Sequence, residues 1–266
     1  MAVNVPEIAG FFALGVLPLG VLLAYHLRGM YVLTLHKLKP GPDSQDAFLQ
    51  SLTKQHGSRE HLLCLKTQKI SFSGKKLEFL PDSWDYATLD WYSKRQEGLE
   101  APGDASTGIE QSYSVSFTPG VFTLANKIMD GIHRARQIFG AFPRPLKNTR
   151  NVQIDLSAIE KAIQDGSLTS TGAPVHILNF LKFNPESWAY HWYAVNMAFR
   201  FFPDMGVTTT VAGYVQDSDW DRVIVVTFPN ISTVLELFNS EGWNKLNPYR
   251  AEGLEDVMLI LAQDHH

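Results

Sequence analysis

The segment ESWAYHWYAVNMAFRFF, residues 186–202, carries the densest set of side chains able to move a proton. Histidine titrates near neutrality and a tyrosine hydroxyl can donate to a substrate oxygen. His191 with Tyr190 or Tyr193 is therefore a candidate acid–base set. Wound as a helix, the stretch is apolar nearly all round. Trp188, Trp192, Val195, Phe199 and Phe202 fall on one stripe, expected to face a sheet. Tyr190, His191, Tyr193, Asn196 and Met197 then take the remaining faces. The competing reading is packing alone, because a helix apolar on every side is buried on several.

His176 and Asn179 interrupt the strand-like run VHILNFLKF (175–183) on opposite faces. A polar side chain turned toward a core needs a partner or a ligand. His176 is thus a further candidate base. Asn179 joins Asn196, Trp192, Arg250 and Asp221 as the expected substrate-binding set. Asp221 has a structural alternative, capping a turn, and Arg250 another, pairing with Glu252, Asp256 or a carboxylate across the sheet.

Several functions lack their signatures. The sequence holds no Gly-x-Ser-x-Gly, no His-Glu-x-x-His, no phosphate-binding loop and no dinucleotide fingerprint. No metal site and no cofactor are expected; His36 is the one, weak, candidate haem ligand. A net charge of −4 gives no basic footprint for nucleic acid. Cys64 is the lone cysteine, so an internal disulfide is excluded.

The elements that would position these residues begin after an apolar run. Ile8 to Tyr25 is eighteen residues without a charge, close to the length that crosses a ~30 Å hydrocarbon core. The sequence reads as an uncleaved transmembrane anchor over 1–29, with a cleaved signal peptide or a buried hairpin helix as the competing readings. Arg28, Lys37 and Lys39 follow it, which places the N-terminus outside and the bulk in the cytosol, against membrane lipid. Residues 121–140 have helical amphipathicity. From Val175 onward the order is strand, helix, strand, strand, helix, strand, with a Trp-Asp turn at Trp220-Asp221.

Two phrases recur. YVLTLHKLKP closes at Pro40 much as VHILNFLKFNP closes at Pro185, 145 residues later; Trp84-Asp85 precedes a strand as Trp220-Asp221 does, 136 residues later. This reads as a degenerate tandem repeat, giving one half over 30–150 and another over 151–266.

Leu181-Lys182-Phe183, Trp220-Asp221, and Arg250 with Gly253-Leu254-Glu255-Asp256 resemble the dimeric α+β barrel superfamily, specifically its small bacterial branch of unknown function. The resemblance implies an α+β fold in which two ferredoxin-like units form a barrel. That is usually achieved by homo-oligomerisation, and here it would be intramolecular, behind the N-terminal transmembrane helix. The fold does not choose a reaction. The leading expectation is a membrane-anchored, cofactor-independent enzyme. It would cyclise, isomerise or dehydrate a hydrophobic small molecule, polyketide or terpenoid in character, inside the barrel. The alternatives are a non-catalytic membrane-tethered subunit of a larger complex and a haem-dependent monooxygenase.

Overall fold

The computed structural model describes residues 29–54, 59–68, 84–92, 108–119, 157–164, 168, 172–215 and 218–264. The first half supplies β1 (Met30–Leu38), α1 (Asp43–Lys54), β2 (Arg59–Gln68), β3 (Tyr86–Tyr92) and β4 (Ile109–Pro119). After α2 (Ser157–Gln164), the second half supplies β5 (Val175–Phe183), α3 (Ala189–Asn196), a π-helical turn (Met197–Phe201) and α4 (Phe202–Met205). It continues with β6 (Thr208–Val215), β7 (Arg222–Phe228), α5 (Ile231–Asn239), α6 (Glu241–Gly253) and β8 (Leu254–Asp264).

The eight strands close into one antiparallel barrel in the order β1-β3-β2-β8-β5-β7-β6-β4. Within each half the fourth strand lies beside the first, and the third lies between the first and the second. Two short seams join the halves. Leu65 to Gln68 pair with Asp264 to Leu261, and Phe117 to Pro119 pair with Val215 to Gly213. Closure satisfies backbone groups that an open sheet would leave at its edges.

An eight-stranded barrel has an interior just wide enough for side chains to fill or for one small ligand. Here side chains fill it. Leu33, Leu35, Leu65, Phe117, Leu178 and Phe180 are fully buried within one inner cluster that also holds Tyr31, Trp84, Trp91 and Trp220. Tyr31 stacks on Phe117 with centroids 5.6 Å apart, and Phe180 lies 6.0 Å from Trp220. The second core is outside the cylinder, between the outer faces of β5, β7 and β8 and helices α3, α5 and α6.

The two Trp-Asp turns do the same work in each half. Asp85 Oδ2 accepts the Leu38 amide at 2.7 Å, and Asp221 Oδ2 accepts the Phe183 amide at 2.6 Å. Each carboxylate thereby holds the end of its half's first strand, just where that strand bulges at Lys37/Leu38 and Lys182/Phe183. The shared Lys-x-x-Pro phrase marks these pinned strand ends.

The expected architecture, an anchor followed by two α+β units facing each other, needs correction. The described structure is dominated by one continuous antiparallel sheet. Its halves are hydrogen-bonded edge to edge, and α1 is the one helix described between β1 and β4. No helix among the described residues is long and apolar enough to cross a membrane, which runs against the expected transmembrane helix and single-pass topology. The segment expected to form the anchor lies outside the described residues, as does the amphipathic stretch 121–140. The barrel interior expected to hold a substrate is occupied by the inner hydrophobic cluster.

Candidate functional site in a helix–sheet cavity

On β5, Val175, Ile177 and Leu181 point outward into the helix-side core, and Asn179 is the polar residue sharing that face. Its Nδ2 donates to the carbonyls of Ile177 at 2.9 Å and Ile224 at 3.1 Å. Its Oδ1 has no hydrogen-bond partner among the described residues. Above it runs α3, which starts at Ala189 rather than at Glu186. Residues Asn184 to Ser187 form a turn instead, in which Asn184 Oδ1 accepts the Glu186 amide and Ser187 Oγ accepts the Ala189 amide.

The helix is rotated relative to the expectation. Tyr190, Tyr193, Asn196 and Met197 are buried, whereas Trp188 is 76% and Trp192 43% exposed. Both stripes are apolar and both recur at helical spacing, so periodicity alone could not choose between them. The π turn then adds a residue to the winding, and Met197, Ala198 and Phe202 all come to face the sheet side. Turns of this kind recur at functional sites.

Between this helix and strands β5, β6 and β7 lies a cavity of about 70 Å³. Small side chains make the room: Ala194 and Ala198, one helical turn apart, and Ala212 on β6. Tyr190, Tyr193, Thr209, Asn179 and Arg222 supply the polar groups. Neither phenol hydroxyl hydrogen-bonds to a described residue. Burial pushes the Tyr190 phenol up to about 12 against the opposing pull of Arg222 and Arg250, and pushes the Tyr193 phenol higher still. Both are therefore fixed as donors at neutral pH.

Arg222 opens β7 and is buried, with its guanidinium carbon 4.4 Å from the Tyr214 ring centroid and 5.4 Å from that of Phe183. Such stacking holds the guanidinium plane while its donors remain in that plane. Arg250, on α6, sits behind the tyrosines over the Trp243 ring at 5.7 Å, with Nη1 3.3 Å from Asn247 Oδ1. It pairs with neither Glu252 nor Asp256, and its Nη2 makes no hydrogen bond among the described residues. Two buried guanidinium groups thus bias the tyrosine layer toward negative charge.

The remaining expected site residues lie elsewhere. His191 is half-buried behind Tyr190, 4.9 Å from the Trp188 ring and 5.3 Å from Phe183. Burial, then the nearby Arg222, hold its imidazole below the usual range, so it is neutral at pH 7. Asn196 donates to the Trp192 carbonyl at 2.8 Å within its own helix. Trp192 points away from the cavity, and Asp221 pins the end of β5. His176 faces the opposite side of the sheet, at one end of the barrel. His36 has Nε2 3.0 Å from Thr88 Oγ1 and Nδ1 3.5 Å from Ser112 Oγ, and it packs on Phe48. Among the described residues, no cluster of three or more His, Cys, Asp or Glu side chains could hold a metal.

Sequence reasoning missed Arg222 and the three alanines. The pair Ala194/Ala198 in an otherwise bulky helix was the available signal, since small residues at i and i+4 leave a hollow on one face.

No family model and no curated protein matches this chain. Among solved structures, it is similar to a protein of unknown function from Rhodopseudomonas palustris. The identity is 19% over 46% of this chain and 96% of that one, with a TM-score of 0.34. The methylated form of that protein gives 17% identity over 47% and 96%, with a TM-score of 0.35. Likenesses at this level support no statement about activity.

Proposed function

We propose that the helix–sheet cavity binds a small, mostly apolar molecule through a carbonyl or carboxylate oxygen and promotes a cofactor-independent proton transfer, an isomerisation or a dehydration. The observation that carries this reading is the pair of tyrosines lining the cavity, Tyr190 and Tyr193, neither of whose hydroxyls hydrogen-bonds to a described residue. A ligand oxygen in the cavity would accept hydrogen bonds from both hydroxyls. As negative charge grows on that oxygen, two fixed donors beside Arg222 stabilise it with little reorganisation. Asn179 Oδ1 would accept a donor on the substrate and set its orientation.

Size narrows the substrate. Ligand sites for drug-sized molecules are about 300–1,000 Å³, so a space of about 70 Å³ admits a short chain or one small ring. A whole polyketide or terpenoid would leave most of itself outside. Among the described residues, no carboxylate or imidazole lines the cavity.

The test is hydrogen–deuterium exchange at carbon, read by NMR, on a panel of four- to six-carbon ketones and hydroxy acids. Exchange should exceed the buffer rate, and Tyr193→Phe or Tyr190→Phe should slow it by about 100-fold. Exchange at the buffer rate across the panel, or indifference to both substitutions, would overturn the reading.

One observation favours a second, non-catalytic reading as a subunit of a larger complex. Trp188, just before α3, and Trp192, on its outward stripe, are exposed, and tryptophan is enriched at protein contacts. Sedimentation of the native protein against the Trp188→Ala/Trp192→Ala variant would separate the two.

A further inference from the structure

At one end of the barrel, polar side chains from four strands form a single line. Asp264 Oδ1 on β8 lies 3.2 Å from His176 Nε2 on β5, off the best line for that N–H. His176 Nδ1 lies 2.9 Å from Thr227 Oγ1 on β7. The Thr227 hydroxyl in turn contacts the Thr210 hydroxyl on β6. Strand register brings them together: His176 stands opposite Thr227 on one side and Ala262 on the other, two residues from Asp264. The imidazole is buried, Asp264 and Thr227 are half-buried, and Thr210 is exposed, so water reaches both ends of the line. None of these residues lines the helix–sheet cavity.

A cross-strand bond between histidine and threonine satisfies one ring nitrogen and one hydroxyl. It does not call for a carboxylate at the other nitrogen or a second hydroxyl beyond the first. The order carboxylate, imidazole, hydroxyl is the one that activates an oxygen nucleophile, and such sets are recognised by geometry rather than by sequence position. We propose that Asp264, His176 and Thr227, with Thr210 beside it, form a second site that accepts the acyl group of a small activated carboxylic ester.

The step balances without a cofactor. The Thr227 oxygen forms a bond to the ester carbonyl carbon, and its proton passes to His176 Nδ1. The bond from that carbon to the alcohol oxygen breaks, and the departing alkoxide takes the proton from His176. Water then repeats the sequence on the threonyl ester, releasing the acid and restoring the hydroxyl. Asp264 holds the Nε2–H tautomer that leaves the Nδ1 lone pair facing Thr227. Burial keeps His176 below the ordinary imidazole range, which leaves it neutral and able to accept. Because Phe180 and Leu178 fill the interior just below, the acyl group must be small and remain at the barrel mouth.

The experiment treats the full chain with p-nitrophenyl acetate and maps acetylation by mass spectrometry. One acetyl group on Thr227 is expected, absent in Thr227→Val and in His176→Gln, with circular dichroism unchanged. If His176→Gln does not fold, Asp264→Asn, at the half-exposed end of the line, decides; it should slow nitrophenolate release by about 100-fold. Acetyl groups confined to lysines, or labelling that survives these substitutions, would overturn the assignment.

Discussion

Replacing Phe180 by alanine separates a solid barrel from a reaction chamber. Phe180 is fully buried, with the Trp220 ring 6.0 Å and the Tyr113 ring 6.5 Å away. Phenylalanine-to-alanine changes in packed cores destabilise by about 3–5 kcal/mol, through lost transfer energy and the cavity left behind. For a chain of 266 residues, each kcal/mol lowers the melting temperature by about 2–4 °C, giving a drop of roughly 6–20 °C. Urea denaturation followed by circular dichroism reads the first number and a thermal scan the second. The helix-side cavity should respond in the opposite way. Ala194→Leu places methyl groups into existing space on a good helix former, so it should be neutral or stabilising by up to about 2 kcal/mol. A loss below about 1 kcal/mol for Phe180→Ala, or a larger loss for Ala194→Leu than for Phe180→Ala, would refute the placement of core and cavity.

Other perturbations reach different parts of the molecule. A Cβ on Gly213 would collide with the Thr118 carbonyl oxygen at the β4–β6 seam. Gly213→Ala should therefore destabilise by about 1–3 kcal/mol and speed amide exchange at the seam. His176 has its pKa lowered, chiefly by burial, with Asp264 pulling the other way. The unfolded chain then binds more protons at mildly acidic pH. Stability should fall as pH drops from about 7 to about 5, and His176→Gln should flatten that slope in denaturation curves. Burial, with Asp90 adding to it, pushes the Cys64 thiol up to about 11. Its alkylation by iodoacetamide at pH 8 should be slower than that of a free thiol by roughly 100-fold.

The parts of the fold legible in the sequence were those with a local cause. Apolar alternation over 175–183 marked β5 and set Asn179 and His176 on opposite faces, because strand side chains alternate with period two. The Trp-Asp turns were visible as turns, although their carboxylates pin strand ends rather than meet a substrate. Helix α6 was not foreseen: it contains Pro248, a residue unfavourable inside helices, and its start signal is the Ser240 side chain that caps its first turn. A barrel was expected only through the resemblance; the edge-to-edge closure itself has no local signal, since it depends on two seams of three and four residue pairs between segments far apart in the chain. The site split in the same way. Tyr190 and Tyr193 could be named from their chemistry, but the helix phase that turns them inward depends on packing across two equally apolar stripes. Arg222 looked like an ordinary charged residue at a strand start.

The placement of the ligand site is tested most directly by NMR titration of isotope-labelled protein with cyclopentanone, a small ring bearing one carbonyl. Saturable shifts should cluster on Tyr190, Tyr193, Ala198, Ala212 and Arg222, and should vanish in Ala194→Leu. Shifts centred on Phe180, Phe117 and Trp220 inside the barrel, or no saturable shift at all, would contradict the account.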